Sequence, residues 1–187
     1  MKMQKKIALI GSGNAFFKDE GIGLYAAKYL KENYVFTPEV EIVDGGTLGF
    51  KLMPLLLEFD EVVIINTASD EGAKVGSISV KTTDEFLDAT LIKKTANEVE
   101  IVEMLQICAL SENMAETTLI SVVPKDVVSV EVGLSLELRN SWDAYVHAAI
   151  EKLKSLRVEV EKKEKETTLE QILDIFANPS VEFNRGF

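Results

Sequence analysis

Three polar side chains follow three short apolar runs in this chain, and that spacing is the first thing in it that could do chemistry. Glu20 comes after Ile7-Ala8-Leu9-Ile10, Asp44 after Val40-Glu41-Ile42-Val43, and Asn66 after Val62-Val63-Ile64-Ile65. Parallel strands deliver their carboxyl ends to one edge of a sheet, where ligands bind in open α/β folds. A carboxylate pair with an amide at such an edge could form a small ion site. The same residues also suit a plainer role, with Glu20 capping a helix and Asp44 holding its turn. Periodicity leaves both readings open. Gly11-x-Gly13 does not complete a dinucleotide fingerprint, because the third glycine would fall at Phe16, and there is no P-loop. The lone histidine, His147, shares a polar helical face with Asp143, Glu151 and Lys154 and reads as a surface residue. A Ser-His-Asp triad is therefore not expected. Cys108 lies on an apolar stripe with Ile101, Met104 and Leu105, so it reads as a buried, inert thiol.

The elements that must position these residues alternate between strand and helix. After Gly11 and Gly13, which permit a sharp turn, Ile22, Tyr25, Ala26, Tyr29 and Leu30 mark one buried helical face. A helix is expected from Leu48 to Leu57 or Phe59, with Thr47 as N-cap and Pro54 kinking it or ending it early. A short strand is expected at Ser77–Val80, a short helix over Thr83–Leu91, a clearer helix over Asn97–Leu110 and a buried strand at Thr118–Val123. Ser135 should cap a long helix that buries Trp142, Tyr145, Val146, Ala149, Ile150 and Leu153. Repeated strand-helix units predict an α/β fold: a three-layer sandwich, a mostly parallel twisted sheet with helices on both faces.

At 187 residues one core domain is expected, over 1–160. The net charge of −11 argues against nucleic-acid binding, which wants a basic footprint. One cysteine allows no internal disulfide and fits a reducing cytosol, so a cytoplasmic location is expected. The lysines before Gly11 are not followed by the apolar stretch of a signal peptide, and no run approaches the ~20 apolar residues of a membrane span. Residues 161–187 differ in composition. The charge run 161–166 reads as a solvated linker or a helix extension. Thr167-x-x-Glu170 fits a capping box, and Leu169, Ile172, Leu173 and Phe176 form an apolar stripe. That tail either docks on its own domain or offers a helix to a partner.

Two motifs in order, Gly11-x-Gly13-Asn14 through Asp19-Glu20-Gly21-Ile22-Gly23 and Val43-Asp44-Gly45-Gly46-Thr47-Leu48-Gly49, resemble the hydrogenase maturation endopeptidases. The resemblance continues through the third strand, Asn97-Glu98-Val99-Glu100 and Ile120 to Pro124. It implies an α/β fold with a twisted sheet between helices. It also implies removal of a C-terminal peptide from the nickel-iron hydrogenase large-subunit precursor once nickel is inserted. The family's metal-contacting glutamate corresponds to Glu20. Its aspartate position falls on Asn66 and its histidine position on Asn97, so the implied ligand set is Glu20, Asn66 and Asn97. The aspartate of the Asp-Gly-Gly-Thr loop is kept as Asp44 and is the expected catalytic group, positioning water or a substrate group. Amides are weak partners for nickel or zinc, and an oxygen-only site suits magnesium or calcium better. Glu98, Glu100, Asp70 and Glu71 are candidates to substitute in space. No tightly bound cofactor is expected; the nickel belongs to the substrate. The expected partner is the large-subunit precursor. The resemblance leaves an endopeptidase with an altered site beside a non-catalytic relative that binds a precursor or assembly factor. An unrelated α/β binding protein is the third reading.

Overall fold

A computed structural model describes residues 5–70, 72–88 and 95–179. Its centre is a five-stranded sheet in the order β3 (Val40–Gly46), β1 (Ile7–Ser12), β4 (Glu61–Thr67), β6 (Glu116–Val122) and β5 (Ile78–Thr82). The first four strands run parallel, and β5 pairs antiparallel with β6 at the edge. β1 and β4 are buried along their whole length, as expected of strands covered on both faces.

Alternate side chains of each strand feed two separate cores. Ile7, Leu9, Val63, Ile65, Ile120 and Val122 pack with α1 (Ile22–Asn33), α5 (Leu136–Ser155) and α6 (Leu169–Ala177). Ala8, Ile10, Val62, Ile64 and Leu119 pack with α2 (Met53–Glu58), α3 (Thr83–Asp88) and α4 (Ala96–Cys108). The three-layer α/β sandwich is therefore present, and Ser135 caps α5 by accepting from Leu138 N.

Local physics shifts several expected boundaries. No helix starts at Thr47. A 3-10 turn at Gly49–Leu52 comes first, and Pro54 then lies in the opening turn of α2, where its missing N–H costs nothing. α4 begins at Ala96 because Thr95 Oγ1 accepts from Glu98 N. The tail helix is capped one residue later than expected, by Thr168 with Gln171 in a reciprocal box. Residues 89–91 of the expected short helix lie outside the described residues. The charge run does not begin as a linker: β7 (Glu159–Lys162) pairs antiparallel with β2 (Tyr34–Thr37), a strand the sequence reading did not anticipate. The tail stripe docks on its own domain. Ile172 and Leu173 are buried, and the Phe176 ring meets Tyr25 edge-on at 5.1 Å.

Candidate functional site

The site is built where the ends of β1 and β4 meet the starts of α1 and α4. Glycine makes the approach possible. A Cβ on Gly23 would lie 2.3 Å from the Ile65 carbonyl oxygen and 2.4 Å from that of Ser12, so only glycine lets α1 sit on both strand ends. Gly13 has φ 151°, and a Cβ there would meet the Glu20 carbonyl oxygen at 1.9 Å. That same oxygen accepts from Asn14 N at 3.2 Å. The loop is thus folded tightly onto the 3-10 turn Lys18–Gly21 that carries Glu20.

Asp19 locks this turn in place. It is fully buried and accepts from Lys125 N and Asp126 N, each at 2.9 Å, and from Ser135 N at 2.6 Å and Ser135 Oγ at 2.8 Å. Glu20 is then held inward, 5% exposed. Its pKa is raised, first by burial; a hydrogen bond from the Thr95 side chain opposes the shift and the charge of Glu98 adds to it.

Asn66 and Asn97 come to the same region from β4 and α4. Asn66 is fully buried, and its Oδ1 accepts from Ser121 Oγ at 2.6 Å. Asn97 is 4% exposed, and its Oδ1 accepts from Ser12 Oγ at 3.3 Å. Both amide oxygens are therefore engaged. Among the described residues, Asn66 Nδ2, Asn97 Nδ2 and Glu20 Oε1 are buried side-chain atoms without a hydrogen-bond partner. One carboxylate oxygen and two amide N–H₂ groups remain, and N–H donors cannot ligate a cation. The residues present do not fit a nickel- or zinc-type ion, which wants imidazole, thiolate or carboxylate. Among the described residues no group of three or more His, Cys, Asp or Glu is arranged to hold a metal.

The candidate substitutes do not complete such a set. Glu98 is buried and accepts from Ser69 N at 2.6 Å and Ser69 Oγ at 2.7 Å. Glu100 packs against Gly49, and Asp70 pairs with Lys81 at 3.5 Å. Glu71 lies outside the described residues. Asp44 sits at the same sheet edge but is exposed, and its Oδ1 accepts from Gly46 N at 3.1 Å. It borders a groove of about 130 Å³ with Leu24, Ala27, Ile42 and Phe176, on the α1 face. Ser12, Asn66 and Ser121 instead alternate onto the α4 face, so Asp44 stands across the sheet from the two asparagines. His147 is exposed on α5, 3.9 Å from Glu151. Cys108 is buried, and burial pushes its thiol up.

Sequence reasoning did not single out Asp19, Ser12, Thr95 or Ser121. Thr95-x-x-Glu98 carried a readable signal, the spacing of a helix N-terminal cap. Asp19, Ser12 and Ser121 fall inside the quoted motifs, but their roles had no local signal, since their partners are distant in sequence.

The sequence profile described as "Hydrogenase maturation protease" matches residues 24–152. The chain belongs to the hydrogenase maturation protease family. The match spans Asp44, Asn66 and Asn97 and begins after Glu20. Protein HydD of Wolinella succinogenes is 25% identical over 77% of this chain and 92% of its own length. HupD of Rhizobium leguminosarum bv. viciae, a hydrogenase expression/formation protein, is 29% identical over 83% of this chain and 77% of its own. Among solved structures, the hydrogenase maturating endopeptidase HybD from Escherichia coli superposes with a TM-score of 0.77 at 21% identity, covering 84% of this chain and 98% of that one. HybD from Thermococcus kodakarensis gives 0.65 at 24% identity, over 79% and 99%. At such identities the superpositions establish the fold, a hydrogenase maturation protease architecture around a mostly parallel sheet.

Proposed function

We propose that this protein acts on the large-subunit precursor of a nickel-iron hydrogenase, in the C-terminal processing step, through a site whose metal contacts are degenerate. The family match over 24–152 carries this reading. In it, 1–160 is the working domain and 161–187 a tail, the setting is the cytoplasm, and nickel is the substrate's cargo. Glu20 is the one acidic group of the implied ligand set and is the group that contacts the substrate's metal in this reading. Asp44, exposed at the groove, orients water or a substrate group. No helix among the described residues is long and apolar enough to cross a membrane.

A specific observation favours a second reading, a relative that binds the precursor without cutting it. The amide oxygens of Asn66 and Asn97 already accept hydrogen bonds from Ser121 and Ser12. One experiment separates the two. Purified protein is mixed with nickel-loaded precursor carrying its C-terminal extension, and the products are weighed by mass spectrometry. A shortened precursor, lost with Glu20→Ala or Asp44→Ala, supports processing. A stable complex of full-length precursor supports the binding reading. Neither product nor complex overturns both.

The degenerate site also predicts metal affinity. Calorimetric titration with Ni²⁺ or Zn²⁺ should show weak or no binding to the unmodified chain. Asn66→Asp with Asn97→His should strengthen it by about tenfold or more, because one carboxylate and one imidazole return. Tight stoichiometric binding by the unmodified chain, lost with Glu20→Ala, would refute the assignment.

A further inference from the structure

Beside the Glu20 turn, four large apolar side chains stand in solvent, three on two adjoining loops and Leu136 at the start of α5. Phe16 is 63% exposed, Val128 78%, Val130 77% and Leu136 71%. The loops are joined by a bridge between Phe17 and Glu131, and Lys18 N donates to the Glu131 carbonyl at 2.9 Å. Phe16 and Val130 are therefore neighbours across that bridge. The longer loop is held at both ends by one side chain. Asp19 accepts from Lys125 N and Asp126 N at its start and from Ser135 N and Oγ at its finish. Its middle is fixed by Asp126, which accepts from Val128 N at 3.1 Å, Ser129 N at 2.9 Å and Ser129 Oγ at 2.6 Å. Exposed apolar residues on a loop fastened this firmly cannot fold inward to escape water. A surface of that kind has already met the ordering cost of binding.

We propose that Phe16, Val128, Val130 and Leu136 form a pre-built docking surface for the substrate protein, on which an apolar patch flanked by basic side chains seats itself. The occupant follows from two observations. The surface is continuous with the candidate site, since Phe16 lies on the loop that ends in Glu20 and Asp19 joins that turn to the second loop. Its rim also carries three carboxylates, Asp126, Glu131 and Glu137, against Lys18 and Lys125, on a chain of net charge −11. That balance selects a cationic surround on the partner. The inference rests on the processing role above and adds where the partner lands.

Val128→Ser with Val130→Ser tests it, with Leu110→Ser as control; Leu110 is 87% exposed, just past the end of α4. The probe is the large-subunit precursor with its C-terminal extension, titrated by calorimetry. The double variant should raise Kd by about tenfold or more, as loss of an interface centre does, with an unchanged melting temperature. Leu110→Ser should leave Kd alone. Phe16→Ser, on the other loop, should weaken binding too and guards against a local effect on the long loop. If the precursor binds the parent and the patch variants equally, the docking surface is wrong and the processing role stands. If the parent does not bind the precursor, both fall together. If the parent self-associates and the double variant abolishes that, the surface belongs to a second copy and the proposal is overturned.

Discussion

Glu20 keeps its carboxylate in a place that disfavours charge. Burial raises its pKa from the ordinary 4.5, and Glu98 raises it further. A carboxyl whose pKa is higher folded than unfolded binds its proton more tightly in the native state. Its contribution to stability is fully present below pH 4.5 and is lost as pH rises through the raised value. Glu20→Gln should therefore be more stable than the parent at neutral pH and match it in acid. Urea denaturation at several pH values checks this, and equal pH profiles for the two proteins would show that Glu20 carries no such strain. Asp19, the residue before it, has the opposite character. Four hydrogen bonds compensate its burial, so it serves as an anchor, whereas Glu20 Oε1 is buried without a hydrogen-bond partner. Adjacent carboxylates thus take different roles through their partners.

α6 shows how a short element becomes stable. Nine residues are too few for a lasting free helix in water. Asn33 holds the approach to it: Nδ2 donates to the Thr167 carbonyl at 2.9 Å and Oδ1 accepts from Thr167 N at 2.6 Å. Ile172 and Leu173 then complete the core that α1 and α5 share. Ile172→Ala should cost ~2–5 kcal/mol, the range for a core truncation that leaves a cavity. Deleting 167–187 should lower the melting temperature by at least as much as that single change. A deletion that leaves thermal unfolding unaltered would mean the helix adds no stability. β7 supplies the other attachment, along β2. Its second half, Glu161-Lys162, reads as part of a charged linker because in this strand only Val160 has an apolar side to bury.

Across the whole molecule, two cores share one sheet, and the site sits where α1 closes over its carboxyl edge. That closure depends on backbone contact at Gly11 and Gly23. A Cβ on Gly11 would lie 2.5 Å from the Gly23 carbonyl oxygen and 2.6 Å from Ala27 Cβ. Gly23→Ala should push α1 off the ends of β1 and β4 and destabilise by ~1–3 kcal/mol or more, read from the denaturation midpoint. An unshifted midpoint would show that the helix has room to move.

The sequence by itself determined the sandwich, because β1 and β4 carry the continuous apolar runs Ile7-Ala8-Leu9-Ile10 and Val62-Val63-Ile64-Ile65 while α1 and α5 carry one apolar stripe each; burial on two faces or one is written in those periods. It also determined that Glu20, Asp44 and Asn66 follow strands of one parallel sheet. Tertiary structure alone decided that Asp44 faces the α1 side while Asn66 faces the α4 side, since strand parity becomes a direction only once the layers are assembled. It decided the state of the two asparagines as well. Their oxygens are claimed by Ser121 and Ser12, 55 and 85 residues distant in the chain, and no local pattern encodes a hydrogen bond over such separations.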